Sequence, residues 1–463
     1  MRPYPPVRVV LALGLVAMAV GFDSPGKSVS AAGPALAGHY KVFTSSVIDS
    51  TYLPTWVSNI YGNEDLDGDG NQDLLILGGE LVLPGRTTWE PQPGRILLGD
   101  GNGGFRLMPP DRFPVATLNT ILARKILFAD FNADARPDIF LATTGWDVFP
   151  SPGEQNRLYL STPGGRWEDA TSRLPALNDR THAAAAGDVT GRGVIDIFAG
   201  NGYVGQNLIL PYMLLNSGTG EFTLSRDGLP VKKGERLDIE SKHLFNGSTF
   251  ADLDGDGLPD LIITAAARDS TNAFRNTTIF WNRQGAFANG DVTVLPEVAP
   301  FQQSHQDLDA RAIDFTGDGL LDLVVVGTQG IPNYDGWFVQ LFVNQGNRQF
   351  VEETDARLAP ADAAGGIPGE RSILDGIAPF WITSLDFDGN GTPDFSIQFG
   401  RGSSPAGLPL SLPIIWLSDG TGRFSTLKVG DFVADADRAA MGHAHVVPTK
   451  DGYSFLHAVA SKD

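Results

Sequence analysis

The chain is a succession of short apolar runs, each stopped by a polar, glycine-rich turn. One polar stretch organises them. Asp65-Leu-Asp67-Gly-Asp69-Gly-Asn71-Gln-Asp73 leads directly into Leu-Leu-Ile-Leu, and the same pattern returns five times, beginning at Asp130, Asp188, Asp252, Asp314 and Asp386. Successive first aspartates are 65, 58, 64, 62 and 72 residues apart. A recurring period of this kind defines an architecture of repeated units. The runs that follow the loops, such as Ile-Phe-Leu-Ala and Leu-Val-Val-Val, are short, apolar and bounded by turns, which is the pattern of buried strands. No long window carries helical periodicity.

Each unit has further common parts. An apolar stretch precedes the loop: Ile126-Leu-Phe-Ala, Ser248-Thr-Phe-Ala and Ile382-Thr-Ser-Leu are examples. After a variable segment comes a third run that ends in a turn and an aromatic residue, as in Ile96 to Phe105, Leu158 to Trp167, Met213 to Phe222, Ile279 to Phe287, Leu341 to Phe350 and Ile415 to Phe424. The turn then leads to a fourth strand. Four antiparallel strands in roughly 60 residues make one propeller blade. The fold expected is therefore all-β, a β-propeller of four-stranded antiparallel blades. Two more strand-like runs, Gly442 to Val447 and Tyr453 to Val459, follow the sixth unit without an acidic loop, and His39 to Ile48 reads as an orphan strand that completes a last blade with them. Such closure removes open sheet edges. The expectation is seven blades, with six as the alternative.

Charge sharpens the reading of the loops. Lys and Arg number 34 against 54 Asp and Glu, for a net charge of −20. The six loops hold 19 of those carboxylates, and without them the net charge would be about −1. Oxygens at loop positions one, three, five and nine, a glycine at six and a backbone carbonyl at seven make a site for a hard cation. Six to eight oxygens at roughly 2.3–2.6 Å suit calcium better than magnesium. An EF-hand would place Glu at position twelve, where these loops have Ile76, Leu141, Ala199, Ile263, Val325 and Ile397.

The expected ligands of several calcium ions are Asp65, Asp67, Asp69, Asn71 and Asp73; Asp130, Asn132, Asp134 and Asp138; Asp252, Asp254, Asp256, Leu258 and Asp260; Asp314, Thr316, Asp318, Leu320 and Asp322; and Asp386, Asp388, Asn390, Thr392 and Asp394. Thr316 and Asn390 are neutral and weaken their sites. Ala135 stands where glycine relieves the turn. Arg192 occupies position five of the third loop, where a guanidinium pairing with Asp188 and Asp196 replaces a metal.

The acidic loop, the strand after it and the Gly-x-Gly-x-Phe-like turn resemble FG-GAP/VCBS repeats, the repeats of integrin α-subunit propellers and of many exported bacterial proteins. The resemblance covers almost all of the chain after its N-terminal segment. It implies that the calcium loop joins the two innermost strands of each blade and that the metal stabilises rather than catalyses. Arg192 and Ala135 depart from the pattern.

Residues 1–31 read as an export signal: Arg2 and Arg8, an apolar run from Val9 to Phe22, and Val29-Ser30-Ala31 as the cleavage site, with Ala35-Leu36-Ala37 the alternative. That apolar run is 14 residues long, short for a membrane span of about 20. Residues 32–463 then form one propeller domain, secreted or periplasmic, not inserted in a membrane once the signal is removed. The chain has no cysteine, so neither disulfides nor a lipidated cysteine contribute. An acidic chain without a basic patch does not fit nucleic acid.

The variable loops on the face away from the acidic ones carry Trp89, Trp146, Tyr203 and Tyr334, with Trp337 just beyond, as candidate contacts to a carbohydrate or protein partner. His182, His243 and His305 stand near the start of first strands and are candidates for the channel mouth. The leading expectation is a non-catalytic binding or adhesion module. The alternative is a lyase or hydrolase acting on polysaccharide, although no nucleophile motif and no His-Glu-x-x-His occurs. The sequence does not fix the oligomeric state.

Overall fold

The computed structural model describes residues 11–17, 57–78, 90–101, 104–114, 118–146, 151–201, 209–232, 235–237, 244–266, 276–296, 305–329, 336–365, 377–401, 408–432, 441–449 and 452–460. Strands dominate, and they form a ring of small antiparallel sheets, a β-propeller of six blades. Blade 1 contains Val57–Glu64, Asp73–Gly78, Arg95–Gly99 and Phe105–Leu107, in that order from the axis outward. Blade 2 contains Ala123–Ala129, Asp138–Thr143, Arg157–Thr162 and Arg166–Asp169, and blade 3 Thr181–Gly187, Asp196–Asn201, Tyr212–Asn216 and Phe222–Ser225. Blade 4 is Leu244–Ala251, Asp260–Ala266, Thr278–Asn282 and Phe287–Val294. Blade 5 is His305–Ile313, Asp322–Gln329, Trp337–Asn344 and Phe350–Glu352, and blade 6 is Ile377–Leu385, Asp394–Arg401, Pro413–Ser418 and Phe424–Lys428. In every blade the acidic loop joins the first strand to the second, so all six loops share one face.

The second strands explain why the apolar runs are continuous rather than alternating. Every residue of Asp73–Gly78, Asp138–Thr143 and Asp196–Asn201 is buried. A blade between two neighbours is covered on both faces, so neither face of the strand is left to water. The core accordingly lies between blades. Leu75 and Leu77 of blade 1 pack with Ile139, Leu141 and Tyr159 of blade 2, and Trp337 of blade 5 packs with Phe399 and Trp416 of blade 6.

Seven full blades do not form. Met441–Thr449 and Gly452–Ala460 pair as the sequence suggests, but this hairpin joins the sheet of blade 6 through Gly400 and His443 and lies beside the first strand of blade 1. It closes the seam between the sixth and first blades without an acidic loop. The strand along its outer edge is Leu11–Ala17, paired with Gly452–Ala460. His39 to Ile48, expected in that place, lies outside the described residues. Two strands and an edge strand without the loop fall short of the four-stranded unit.

One irregularity recurs. Each first strand carries a bulge against its second strand, at Ser58, Arg124, His182, Asn246, Leu308 and Phe380, and the closing hairpin has one at Gly442. A bulge bends the strand and increases its twist. Placed at the same height in every blade, it sets which side chains turn towards the axis just beyond it.

Candidate metal centres

Each loop is built by its first and ninth residues. The carboxylate at position one accepts from the backbone of the turn it opens: Asp65 from the N–H groups of Gly68, Asp69 and Gly70 at 2.8, 3.0 and 2.7 Å, and Asp252 from Gly255, Asp256 and Gly257 at 2.8, 3.1 and 2.9 Å. The carboxylate at position nine is fully buried and ties the loop to the third strand. Asp73 accepts from Leu66 and Gly99, both at 2.8 Å, Asp260 from Leu253 at 3.0 and Asn282 at 2.8 Å, and Asp394 from Phe387 at 2.6 and Ser418 at 2.7 Å. Burial outweighs these two donors. It lifts Asp73, Asp260 and Asp394 to about 7 and Asp138 and Asp322 to about 6.

The chain returns on itself at positions four and six, where φ is positive: 80° and 85° at Gly68 and Gly70, 74° and 89° at Gly255 and Gly257. A Cβ at these glycines would meet nothing within 4 Å, so the backbone conformation, not space, calls for glycine. Blade 2 puts alanine at both places, with φ 61° at Ala133 and 63° at Ala135. The strain expected at Ala135 is present, and Ala133 doubles it.

The structure brings positions one, three and nine together. Asp65, Asp67 and Asp73, then Asp252, Asp254 and Asp260, then Asp386, Asp388 and Asp394 each place one oxygen within 4.8 Å of the others. Position five is turned differently. Asp69, Asp256 and Asp318 accept the N–H of position seven at 2.8–2.9 Å with one oxygen, which leaves the other for the loop centre. Asn132 and Thr316 interrupt the carboxylate triad of their loops. Asn390 turns its oxygen to Thr392, at 2.7 Å from the backbone N–H.

These groups fit a divalent cation. In blade 1, Asp67 Oδ1 and Asn71 Oδ1 are buried and have no hydrogen-bond partner among the described residues. Such acceptors are costly unless satisfied, and a hard cation among carboxylates satisfies them. Arginines stand outside the carboxylates: Arg106 and Arg112 are each 3.7 Å from Asp67 Oδ2, and Arg348 Nε donates to Asp254 Oδ2 at 2.8 Å.

Blade 3 differs. Arg192 Nη2 donates to both oxygens of Asp196 at 3.1 Å, and its Nε donates to Thr190 Oγ1 at 2.6 Å. Asp188 accepts from the backbone N–H of Arg192 and Gly193, not from the guanidinium, which corrects half of the pairing expected from sequence.

The sequence reading missed the residues that link one loop to the next blade. Asn216, Asn282 and Asn344, each at the end of a third strand, donate Nδ2–H to the position-two carbonyls of the preceding blade, Phe131, Val189 and Leu253, at 2.8–2.9 Å. Their Oδ1 atoms cap their own turns, at Gly218, Gly285 and Gly346. The signal was available: an asparagine stands 20 to 22 residues after position nine in three consecutive units.

The ligand residues fare otherwise. Trp337 is buried, edge-on to Phe399 and Trp416, and Trp146 is buried as well, so neither offers a face to a partner. Trp337, expected just beyond its loop, is the first residue of a strand. His182 is buried with Nδ1 2.7 Å from the Phe245 carbonyl oxygen, and His305 is buried 3.7 Å from Asp307. They do not converge on a metal: among the described residues, the groups of three potential ligands are all aspartates. Trp89, Tyr203, Tyr334 and His243 lie outside the described residues. No helix among the described residues is long and apolar enough to cross a membrane.

No curated protein matches the chain. The family described as FG-GAP-like repeat matches it three times, over residues 65–141, 130–199 and 252–325. Each match runs from one acidic loop through the strand that follows the next. Repeats of this kind in a propeller fit a binding or adhesion module. Loop geometry, blade order and sequence match agree: the chain is a six-bladed β-propeller that contains three FG-GAP-like repeats.

Proposed function

We propose that the protein is an exported, calcium-stabilised binding module that engages a protein or carbohydrate partner without transforming it. The observation that carries the metal reading is in blade 1, where three carboxylates converge within 4.8 Å beside two buried, unpartnered acceptors, Asp67 Oδ1 and Asn71 Oδ1. Asp65, Asp67 and Asp73 with Asn71 would hold one ion, and Asp252, Asp254 and Asp260 another. Blade 6 would bind through Asp386, Asp388 and Asp394, and blades 2 and 5 more weakly. The ion would neutralise like charges that a closed loop forces together, and so fix the turn. It would not perform chemistry there, because position nine is sealed under the third strand.

The partner reading rests on the repeat type and on the rigid scaffold, whose loops opposite the acidic face vary in length and composition. Export rests on residues 1–31 and on the plentiful calcium outside cells; cleavage there would remove the edge strand Leu11–Ala17 and leave the closing hairpin of Met441–Thr449 and Gly452–Ala460. The test is a calcium titration of the wild-type protein and of Arg192→Asp, followed by a glycan array and partner capture in calcium and in chelator. Wild-type protein should bind several ions, and Arg192→Asp one more. Failure of the wild type to bind calcium at millimolar concentration would sink the metal reading. A clean glycan array together with a saturable protein partner would decide between the two partner classes.

A further inference from the structure

The first strands leave a chamber of about 190 Å³ on the propeller axis, reaching from the bulges towards the acidic face. Its walls come from five blades, with Glu64, Lys125, Ser248, Thr249 and Arg311 as its polar lining. The floor is a cross-channel contact. Lys125 of blade 2 is 4% exposed, donates from Nζ to Asp309 Oδ1 of blade 5 at 3.1 Å, and lies 4.5 Å over the ring of Trp381 from blade 6. All three residues directly follow the bulge of their strand. Blades 3 and 4 carry Ala183 and Gly247 at that position, and a Cβ on Gly247 would come 3.1 Å from Asp309 Oδ1. The small residues let the lysine reach across. Asp309 Oδ2 accepts the Ile382 N–H at 3.0 Å, and Arg311 Nε donates to the Ile382 carbonyl at 3.1 Å.

This floor leaves donors unspent. An ammonium has three N–H groups and a guanidinium five. On Lys125, Asp309 takes one and the Trp381 face another. Arg311 uses Nε, while its Nη2 lies 3.6 Å from Asp309 Oδ2. Ser248 is 4% exposed, lines the chamber, and its Oγ has no hydrogen-bond partner among the described residues. At the outer end, beside the first acidic loop, Glu64 supplies the only carboxyl among the lining residues. Donors from blades 2, 4 and 5 thus face an acceptor from blade 1.

We propose that the chamber binds a small carboxylate that also carries an ammonium or hydroxyl group, such as an amino acid or a hydroxy acid. The carboxylate meets Lys125, Ser248 and Arg311, and the second group meets Glu64. The chamber is partly open to solvent, and its volume of about 190 Å³, below the roughly 300–1,000 Å³ of sites for drug-sized ligands, suits a small molecule. The inference uses the first strands and none of the loop ligands, but Glu64 adjoins Asp65 of the first loop, so calcium is kept in the buffer throughout.

The test uses the full protein in calcium buffer, with glycine, lactate, acetate and inorganic phosphate followed by calorimetry and ligand-detected NMR. Glycine or lactate should bind saturably, and acetate about tenfold more weakly. Ser248→Ala should weaken the bifunctional ligand about tenfold, and Glu64→Gln should remove its advantage over acetate. Lys125 stays intact, because its removal would strand the buried charge of Asp309. Both variants must melt as the wild type does. The proposal fails if no probe binds saturably to folded protein, if both variants bind as the wild type, or if phosphate alone binds.

Discussion

Blades 3 and 4 stand side by side and close their acidic loops in different ways. The frames are alike. Asp188 and Asp252 both accept backbone N–H groups of their own turn, and Asp196 and Asp260 both accept the N–H of the third-strand asparagine at 2.8 Å. The centres are not alike. Blade 4 gathers three carboxylates within 4.8 Å, whereas blade 3 fills the same space with the guanidinium of Arg192, 3.1 Å from both oxygens of Asp196. Backbone hydrogen bonds shape the loop, then, and a cation is a separate requirement. Blade 3 supplies a cation from within its own loop; in the reading proposed above, the others take it from an ion, with Arg348 of blade 5 assisting at Asp254.

The largest effect that separates the two is removal of calcium. A ligand bound only by the folded state at a hundred times its dissociation constant adds about 2.7 kcal/mol. The three loops with a full carboxylate triad, acting independently, would therefore contribute about 8 kcal/mol. Chelation should lower the melting temperature steeply. Hydrogen exchange should rise first in the loops at Asp65, Asp252 and Asp386, with the loop at Asp188 protected longest. Equal loss of protection in blades 3 and 4 would break the comparison.

The frame is tested by Asp260→Ala. This removes the acceptor of the Leu253 and Asn282 N–H groups. Each buried donor left unpaired costs about 1–3 kcal/mol, so urea denaturation should report a loss of about 3 kcal/mol. Most of that loss should persist in chelator, since it belongs to the frame. Disappearance of the loss in chelator would make position nine a metal ligand and nothing more.

Much of this was legible in the sequence, because a repeat shows each feature several times. The strand order, the loop face and the exceptional status of Arg192 all follow from aligning six copies of nine residues. What escaped depends on contacts between distant units. Lys125 and Asp309 are 184 residues apart, and nothing local marks either as facing the axis; the bulge that turns them inward has no residue type in common across Ser58, Arg124, His182, Asn246, Leu308 and Phe380. Trp337 was misassigned for a similar reason. An aromatic at a loop boundary looks the same whether it faces water or the next blade, and here blade 6 covers it. Six blades are the alternative the sequence leaves open; seven is favoured there because the closing hairpin has the strand pattern of a blade but lacks its loop.

The third test is pH. In the metal-free fold, burial raises Asp73, Asp260 and Asp394 to about 7 and Asp138 and Asp322 to about 6, from an unfolded value of 3.8. Between about pH 4 and 7 the folded chain then holds more protons than the unfolded one, so stability falls as pH rises through that window. In chelator the melting temperature should be higher at pH 5 than at pH 7.5. Calcium favours the ionised carboxylates and should remove or reverse the slope. At Asp196 the Arg192 guanidinium opposes the rise that burial causes, so the blade 3 loop should contribute least to it. A flat profile in chelator would mean that the buried carboxylates stay ionised without a metal.

The smallest effect concerns blade 2, whose loop has neither a full set of carboxylates nor the glycines. Ala133 and Ala135 hold φ of 61° and 63°, a conformation that costs an L-residue roughly 1–2 kcal/mol. Ala135→Gly relieves that strain but gives the unfolded chain more freedom, worth about 0.4–1 kcal/mol in the opposite direction. The net expectation is a gain of about 0.5–1 kcal/mol, read by urea denaturation, and roughly twice that with Ala133→Gly added. Calcium affinity discriminates between two accounts of the same change. If strain keeps the carboxylates of Asp130, Asp134 and Asp138 from closing on an ion, the glycine variant should bind calcium more tightly at this loop. If Asn132 at position three is what limits the site, stability should rise with no change in affinity, and Asn132→Asp should be the substitution that strengthens binding.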